Sequence, residues 1–145
     1  MAVYVSGTDD NHKFDDYEEG SWTPGLYPES SAMTLAYDLR TGSYVKIGRV
    51  VYWHFRFRMT SLSGNGNQTV GLSGFPYNVD NAQPQFSAGI YGYNFAGEAP
   101  VGVFYHGNTT RGRMHYYTST SYSDSYASDF ASNTYLAGSG FYYVA

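Results

Sequence analysis

Within the stretch Val50–Thr60, residues alternate between an apolar and a more polar set without a break from Val51 onward. Val51, Trp53, Phe55, Phe57 and Met59 fall on one parity, and Tyr52, His54, Arg56, Arg58 and Thr60 fall on the other. Successive strand residues point to opposite faces, so the first set predicts the core side of a β-strand and the second a face turned to solvent or a partner chain. Just upstream, Gly42-Ser43-Tyr44-Val45-Lys46-Ile47 predicts a second strand. Gly48-Arg49 between them fits a two-residue hairpin loop with Gly48 at the φ > 0 position of a type II′ turn, so the two strands are expected to pair antiparallel.

The same reading extends along the chain. Trp22-Thr23-Pro24 predicts a short strand that Pro24 confines to an edge or a strand start, since proline cannot donate to a ladder. Residues 28–41 read as an irregular connection, and Gly64-Asn65-Gly66-Asn67 as a sharp turn. Gln68–Ser73 alternates weakly and ends at Gly74-Phe75-Pro76-Tyr77. Phe86–Tyr93 predicts one glycine-rich strand with a bulge or bend. Val101–His106 and Arg113–Thr118 flank the turn Gly107–Thr110 and predict another hairpin, Ser119–Ser125 reads as a Ser/Tyr loop, and Thr134–Val144 as a final strand across the core. No window carries an i, i+3, i+4, i+7 apolar stripe. The pattern predicts an all-β fold, an antiparallel sandwich or jelly roll.

Composition sharpens this picture. The chain has 145 residues, enough for one domain, with 17 tyrosines and 17 glycines, and 19 % of its residues are aromatic. Only 14 % are charged, so solubility must lean on Ser, Thr, Asn and Tyr hydroxyls. Of the 12 acidic residues behind the net charge of -4, Asp9, Asp10, Asp15, Asp16, Glu18 and Glu19 crowd into the first twenty positions. Residues 1–20 are therefore expected as an extended acidic N-terminal arm, ordered by what it lies on, and residues 21–145 as the sandwich domain. With no cysteine, rigidity must come from packing or from association with other subunits. The opening Met1-Ala2-Val3-Tyr4-Val5 runs straight into polar and acidic residues and does not read as a signal peptide, and no apolar run reaches membrane-spanning length.

Candidate chemistry is sparse. His12, His54, His106 and His115 are scattered; His106 and His115 are expected to face each other across their hairpin, but two ligands do not close a zinc site. Asp9-Asp10-Asn11 lacks the spacing and terminal Glu of an EF-hand. No metal or cofactor is assigned. Outside the arm the acids are Glu29, Asp38, Asp80, Glu98, Asp124 and Asp129, none set in a catalytic motif, so no enzyme activity is expected. The absence of a basic excess argues against nucleic acid. The outward set Tyr52, His54, Arg56 and Arg58 is a candidate subunit interface. Tyr116, Tyr117, Tyr122 and Tyr126, set among serines, offer the rings and hydroxyls that glycan binding needs, or else pack on neighbouring subunits.

Three stretches resemble a module of bacteriophage tail fibres and other phage virion proteins. Phe14-Asp15-Asp16-Tyr17-Glu18-Glu19-Gly20-Ser21-Trp22-Thr23-Pro24 is similar to that module's acidic "DYEEGTWTP" opening. Gly42–Val51 resembles its "G-x-Y-x-K-[IV]-G-x-x-V" hairpin, followed by Leu72-Ser73-Gly74-Phe75-Pro76-Tyr77. Ser128–Thr134 and Gly138–Tyr142 resemble its closing "ADFTNTS...SGTY", although Phe141-Tyr142-Tyr143-Val144-Ala145 departs from the usual end. The resemblance implies a non-enzymatic β-sandwich on the virion surface, a homotrimer, with other virion proteins and a host surface glycan or protein as partners and no nucleic-acid or membrane-inserted role. Phe14, Tyr17 and Trp22 would dock the arm on the virion or the next subunit. Because the module starts close to Met1, a short capsid decoration protein is the alternative to a fibre head.

Overall fold

The predicted hairpin about Gly48 is the longest feature of the computed structural model, which describes residues 3–4, 13–14, 16–30, 32–64, 67–82, 86–87 and 89–144. In chain order the strands are β1 (Val3–Tyr4), β2 (Lys13–Phe14), β3 (Tyr17–Trp22), β4 (Gly25–Pro28), β5 (Met33–Ile47), β6 (Val50–Gly64), β7 (Val70–Ser73), β8 (Phe86–Ser87), β9 (Gly89–Phe95), β10 (Gly102–Tyr105), β11 (Arg111–Tyr117), β12 (Tyr122–Asp124) and β13 (Phe130–Tyr143). Ile47 pairs with Val50 across the turn, and Gly48 has φ +57°. A side chain is strained at that angle, so the glycine there lets the strands reverse in two residues.

All the strands pair antiparallel. One sheet runs β3-β5-β6-β13-β9; the other runs β4-β7-β11-β10-β8, with β12 also on β11; β1 and β2 form a separate pair. The expected final strand is confirmed as β13, and it lies between β6 and β9 rather than at an edge. The inner faces of the two large sheets meet in one core, which gives a sandwich-like single domain. From the five-stranded sheet come Trp22, Val51, Trp53, Phe55, Phe57, Met59, Leu136 and Tyr142; from the six-stranded sheet come Leu26, Val70, Leu72, Val103, Tyr105 and Met114. Phe57, Met59 and Tyr142 are fully buried. Burial of each such side chain stabilises the fold by about 1.5–3 kcal/mol.

Two aromatic polar groups in this core are matched by hydrogen bonds. The Trp53 indole donates to the Tyr105 hydroxyl at 3.0 Å, tying one sheet to the other. The Tyr142 hydroxyl donates to the Tyr77 carbonyl and accepts from the Tyr77 amide, both at 3.2 Å. A buried hydroxyl left unmatched would cost about 1–3 kcal/mol, so these bonds permit tyrosine where phenylalanine would otherwise serve.

Three expectations need correction. Residues 33–41 are not an irregular connection but the first half of β5. Phe86–Tyr93 is not one strand: β8 lies at the edge of one sheet and β9 at the edge of the other, so the chain changes layer between Ser87 and Gly89. The Ser/Tyr loop is shorter than expected, because Tyr122–Asp124 is a strand paired with β11. The centre of the turn at 64–67 lies outside the described residues, as does most of the expected arm; its end, residues 17–20, is part of edge strand β3 on β5, which runs on into the expected sandwich domain.

Candidate functional site

Concave walls lie on the outer faces of both large sheets, in open hollows around His54 on the five-stranded one and in a cleft on the six-stranded one, and the cleft joins paired charges to aromatic rings. Along β11 the inward residues are Gly112 and Met114, so Arg111, Arg113, His115 and Tyr117 point outward. Register brings three neighbours beside them: Phe104 opposite Arg113 on β10, and Asp124 and Tyr122 opposite His115 and Tyr117 on β12. Phe104, Arg113, His115, Tyr122 and Asp124 together line a cleft of about 360 Å³.

Arg113 organises this cleft. Its Nε donates to Glu29 Oε1 and its Nη1 to Asp124 Oδ2, both at 3.0 Å, and its Nη2 also pairs with Glu29 Oε2. The guanidinium fork thus spans two carboxylates, which a lysine could not do. Glu29 lies just beyond β4, held by its amide bond to the Thr69 carbonyl at 3.1 Å. His106 Nε2 approaches Glu29 Oε1 at 3.6 Å. Beside Arg113, the Arg111 guanidinium lies over the Tyr27 ring at 4.1 Å. His115 is buried between Tyr117 and Tyr122, whose rings stand edge-on at 6.0 Å each. That burial pushes the imidazole below its ordinary value, against the opposing pull of Asp124, and keeps it neutral.

His106 and His115 do not face each other. Residue 115 pairs with Gly102, while the His106 amide bonds to the Arg111 carbonyl, so the two imidazoles sit at different levels of the hairpin. The described residues contain no group of three or more His, Cys, Asp or Glu placed to hold a metal. No helix among them is long and apolar enough to cross a membrane.

The second built surface is the outer face of the five-stranded sheet, where Tyr52, His54, Arg56 and Arg58 all point outward as expected. Each of the three nitrogen-bearing side chains is tied to β5. His54 contacts the Ser43 hydroxyl at 2.7 Å through Nε2, Arg56 Nε reaches Thr41 Oγ1 at 3.4 Å, and Arg58 grips both oxygens of Asp38. That hydrogen-bonded guanidinium holds the Asp38 carboxyl below the usual carboxylate range. Around these pairs lie exposed aromatic rings: Tyr52 beside Phe141 at 6.1 Å, and Tyr93 stacked on Tyr135 at 5.0 Å. A Ser–His pair supplies two of the three members of a nucleophilic triad, but Ser43 Oγ lies near both ring nitrogens, at 2.7 and 3.3 Å. The ring is therefore side-on to the serine, not aimed along an acid–His–Ser line.

The remaining expected residues divide. Trp22 is in the core, against Trp53, Phe55 and Phe75, so its indole fastens β3 to its own sheet. Tyr17 is exposed and donates to Glu19 Oε2 at 2.9 Å; Phe14 belongs to β2, and its side chain lies outside the described ones. Tyr117 and Tyr122 come together across β11 and β12, Tyr116 lies between them on the opposite parity, and Tyr126 is exposed beside the turn Ala127–Asp129. Sequence reasoning missed Phe104, Glu29, Arg113 and Asp124. The signal for part of this was present, since Arg111, Arg113, His115 and Tyr117 alternate with small or apolar residues as an outward strand face should. No family model, curated protein or solved structure matches this chain.

Proposed function

We propose that this chain is a non-enzymatic structural protein displayed on the surface of a bacteriophage particle, a tail-fibre-like head module that attaches to the host surface. The observation that carries the reading is the outer face of the five-stranded sheet, where Tyr17, Ile47, Tyr52, Tyr91, Tyr93, Phe141 and Tyr143 are exposed. An apolar face of that extent on a β-sheet marks a protein-binding surface, and tyrosine covers area at low side-chain entropy cost. It supports permanent assembly: a homotrimer, a jelly-roll-like unit fixed through its N-terminal arm, and contact with other virion proteins. The three phage-like stretches in sequence order support the same reading, and the cleft on the opposite layer is left to face outward.

A capsid decoration protein is the second reading, favoured by the number of exposed aromatic side chains on that face, which suits covering capsid subunits. Peptide quantification on purified particles of the encoding phage separates the two. A few to dozens of copies per particle support the fibre head, hundreds support decoration, and none refutes both. Sedimentation of the purified chain tests the trimer, and a stable monomer at micromolar concentration counts against it.

A further inference from the structure

We propose that the cleft between Phe104 and Tyr122 binds a neutral sugar ring of a glycan, stacking its C–H face on Tyr122 and holding its hydroxyls with Asp124 and Arg113. This rests on the reading of the chain as a surface adhesion module and assigns the place and the chemistry of the contact.

The walls are aromatic and open. Tyr122 is 67 % exposed, Tyr117 65 % and Phe104 44 %, although the opposite parity of β10 and β11 is packed in the core. Exposure of Phe104 and Tyr122 on the walls of one concavity, with Tyr117 next to it, leaves apolar surface in water that a flat apolar ligand face would cover, and a pyranose presents such a face on one side with hydroxyls at its rim. A cleft of about 360 Å³ is at the small end of ligand sites, the size for one ring, with Tyr117 beyond it as a platform for the next unit.

The floor has fixed polar groups with capacity to spare. Asp124 accepts from Arg113 through Oδ2, and its Oδ1 takes no hydrogen bond from the described residues. Arg113 spends three of its five N–H groups on Glu29 and Asp124. A sugar hydroxyl both donates and accepts, so a vicinal pair can give to Asp124 Oδ1 while receiving from Arg113. Both partners are held in place before the ligand arrives, which lowers the ordering cost of binding.

Charge selects the class of glycan. Arg111 and Arg113 supply two positive charges and Glu29 and Asp124 two negative ones, and the buried His115 adds none. The balance leaves no net field to draw in a sialic acid, uronic acid or phosphate, and Asp124 would repel one. A neutral hexose or its N-acetylated form meets no such penalty.

The test is a glycan array carrying neutral and acidic oligosaccharides, probed with the full chain, followed by NMR titration of the best neutral binder. The expected result is binding to neutral members, with saturable shifts at Phe104, His115 and Tyr122. Tyr122→Ala, at an exposed ring, and Asp124→Asn, nearly isosteric, should each weaken binding at least tenfold while melting as the parent chain does. Asn78→Ala, at an exposed position outside both faces, should leave affinity unchanged. Binding confined to acidic glycans, no glycan binding at all, or shifts that bypass the cleft would overturn the assignment. If the chain labels host cells and Tyr122→Ala labels them equally, adhesion stands and the cleft assignment falls. If the parent chain labels no host cells, the adhesion reading falls with it.

Discussion

Gly42 and Trp22 are directly opposed on β3 and β5, and their contact should reverse the sign of a mutation. A Cβ placed at Gly42 would sit 2.5 Å from Trp22 Nε1 and 2.6 Å from Cε2. The indole cannot retreat freely. Its N–H donates to the Ser43 and His54 carbonyls at 3.2 Å each, and its ring packs on Phe75 at 5.3 Å. Gly42→Ala therefore overpacks the core at a cost of about 1–3 kcal/mol, while alanine recovers about 0.5–1 kcal/mol of the flexibility cost of glycine in a strand. The net is a loss of about 1.5 kcal/mol, which at a urea slope of about 2 kcal/mol per molar lowers the midpoint by about 0.7 M. In a Trp22→Leu background the obstacle is gone, and Gly42→Ala should raise the midpoint by about 0.3 M. Urea unfolding followed by far-UV circular dichroism reads all four proteins. Equal losses in both backgrounds would refute the close approach of the indole to Gly42.

Gly48→Ala should cost about 1 kcal/mol because φ +57° strains any Cβ, whereas Gly48→Asn should cost clearly less; chemical denaturation of the two variants checks this. His115 is held neutral by burial, so its folded value lies below its unfolded one. The unfolded chain then binds the extra proton, and stability should decline as pH falls below about 6.5, the unfolded value, until the folded imidazole itself titrates. In His115→Gln the midpoint should change less with pH between about 6.5 and 5; an unchanged slope would refute the assignment. Tyr37 and Tyr142 are pushed upward, chiefly by burial, so stability should be complete below about pH 10 and fall above it as the unfolded phenols ionise. Absorbance titration at alkaline pH should show these two rings ionising only with unfolding.

How much of this was legible depended on whether alternation stayed in phase. From Val50 to Met59 it did, and the buried and exposed sets follow the sequence residue by residue. The first half of β5 was hidden because Tyr37 pairs with Met59 and Leu39 with Arg58, so the bulge at Asp38 shifts the inward parity from Tyr37 to Tyr44. β6 slips in the same way at Thr60, since Ala36 pairs with Ser61 and Tyr37 with Met59, which turns Leu62 toward the core. A phase shift of one residue reads in sequence as disorder of the pattern. The cleft was less accessible still. Glu29 reaches Arg113 across 84 positions, and only the packing of β4, β7 and β11 in one sheet places them together. Trp22 was expected to dock the arm, but its neighbours in space are Trp53 and Phe55, which no local pattern announces.

The position of β13 has a consequence for synthesis. Its residues complete the sheet between β6 and β9, so until they are synthesised those two strands have no partner on that side. A nascent chain emerging from the ribosome would carry two open edges until Phe130–Tyr143 clears the exit tunnel, and only then could the layers seal. Any premature stop before that point would release a product unable to close and prone to clump with its like.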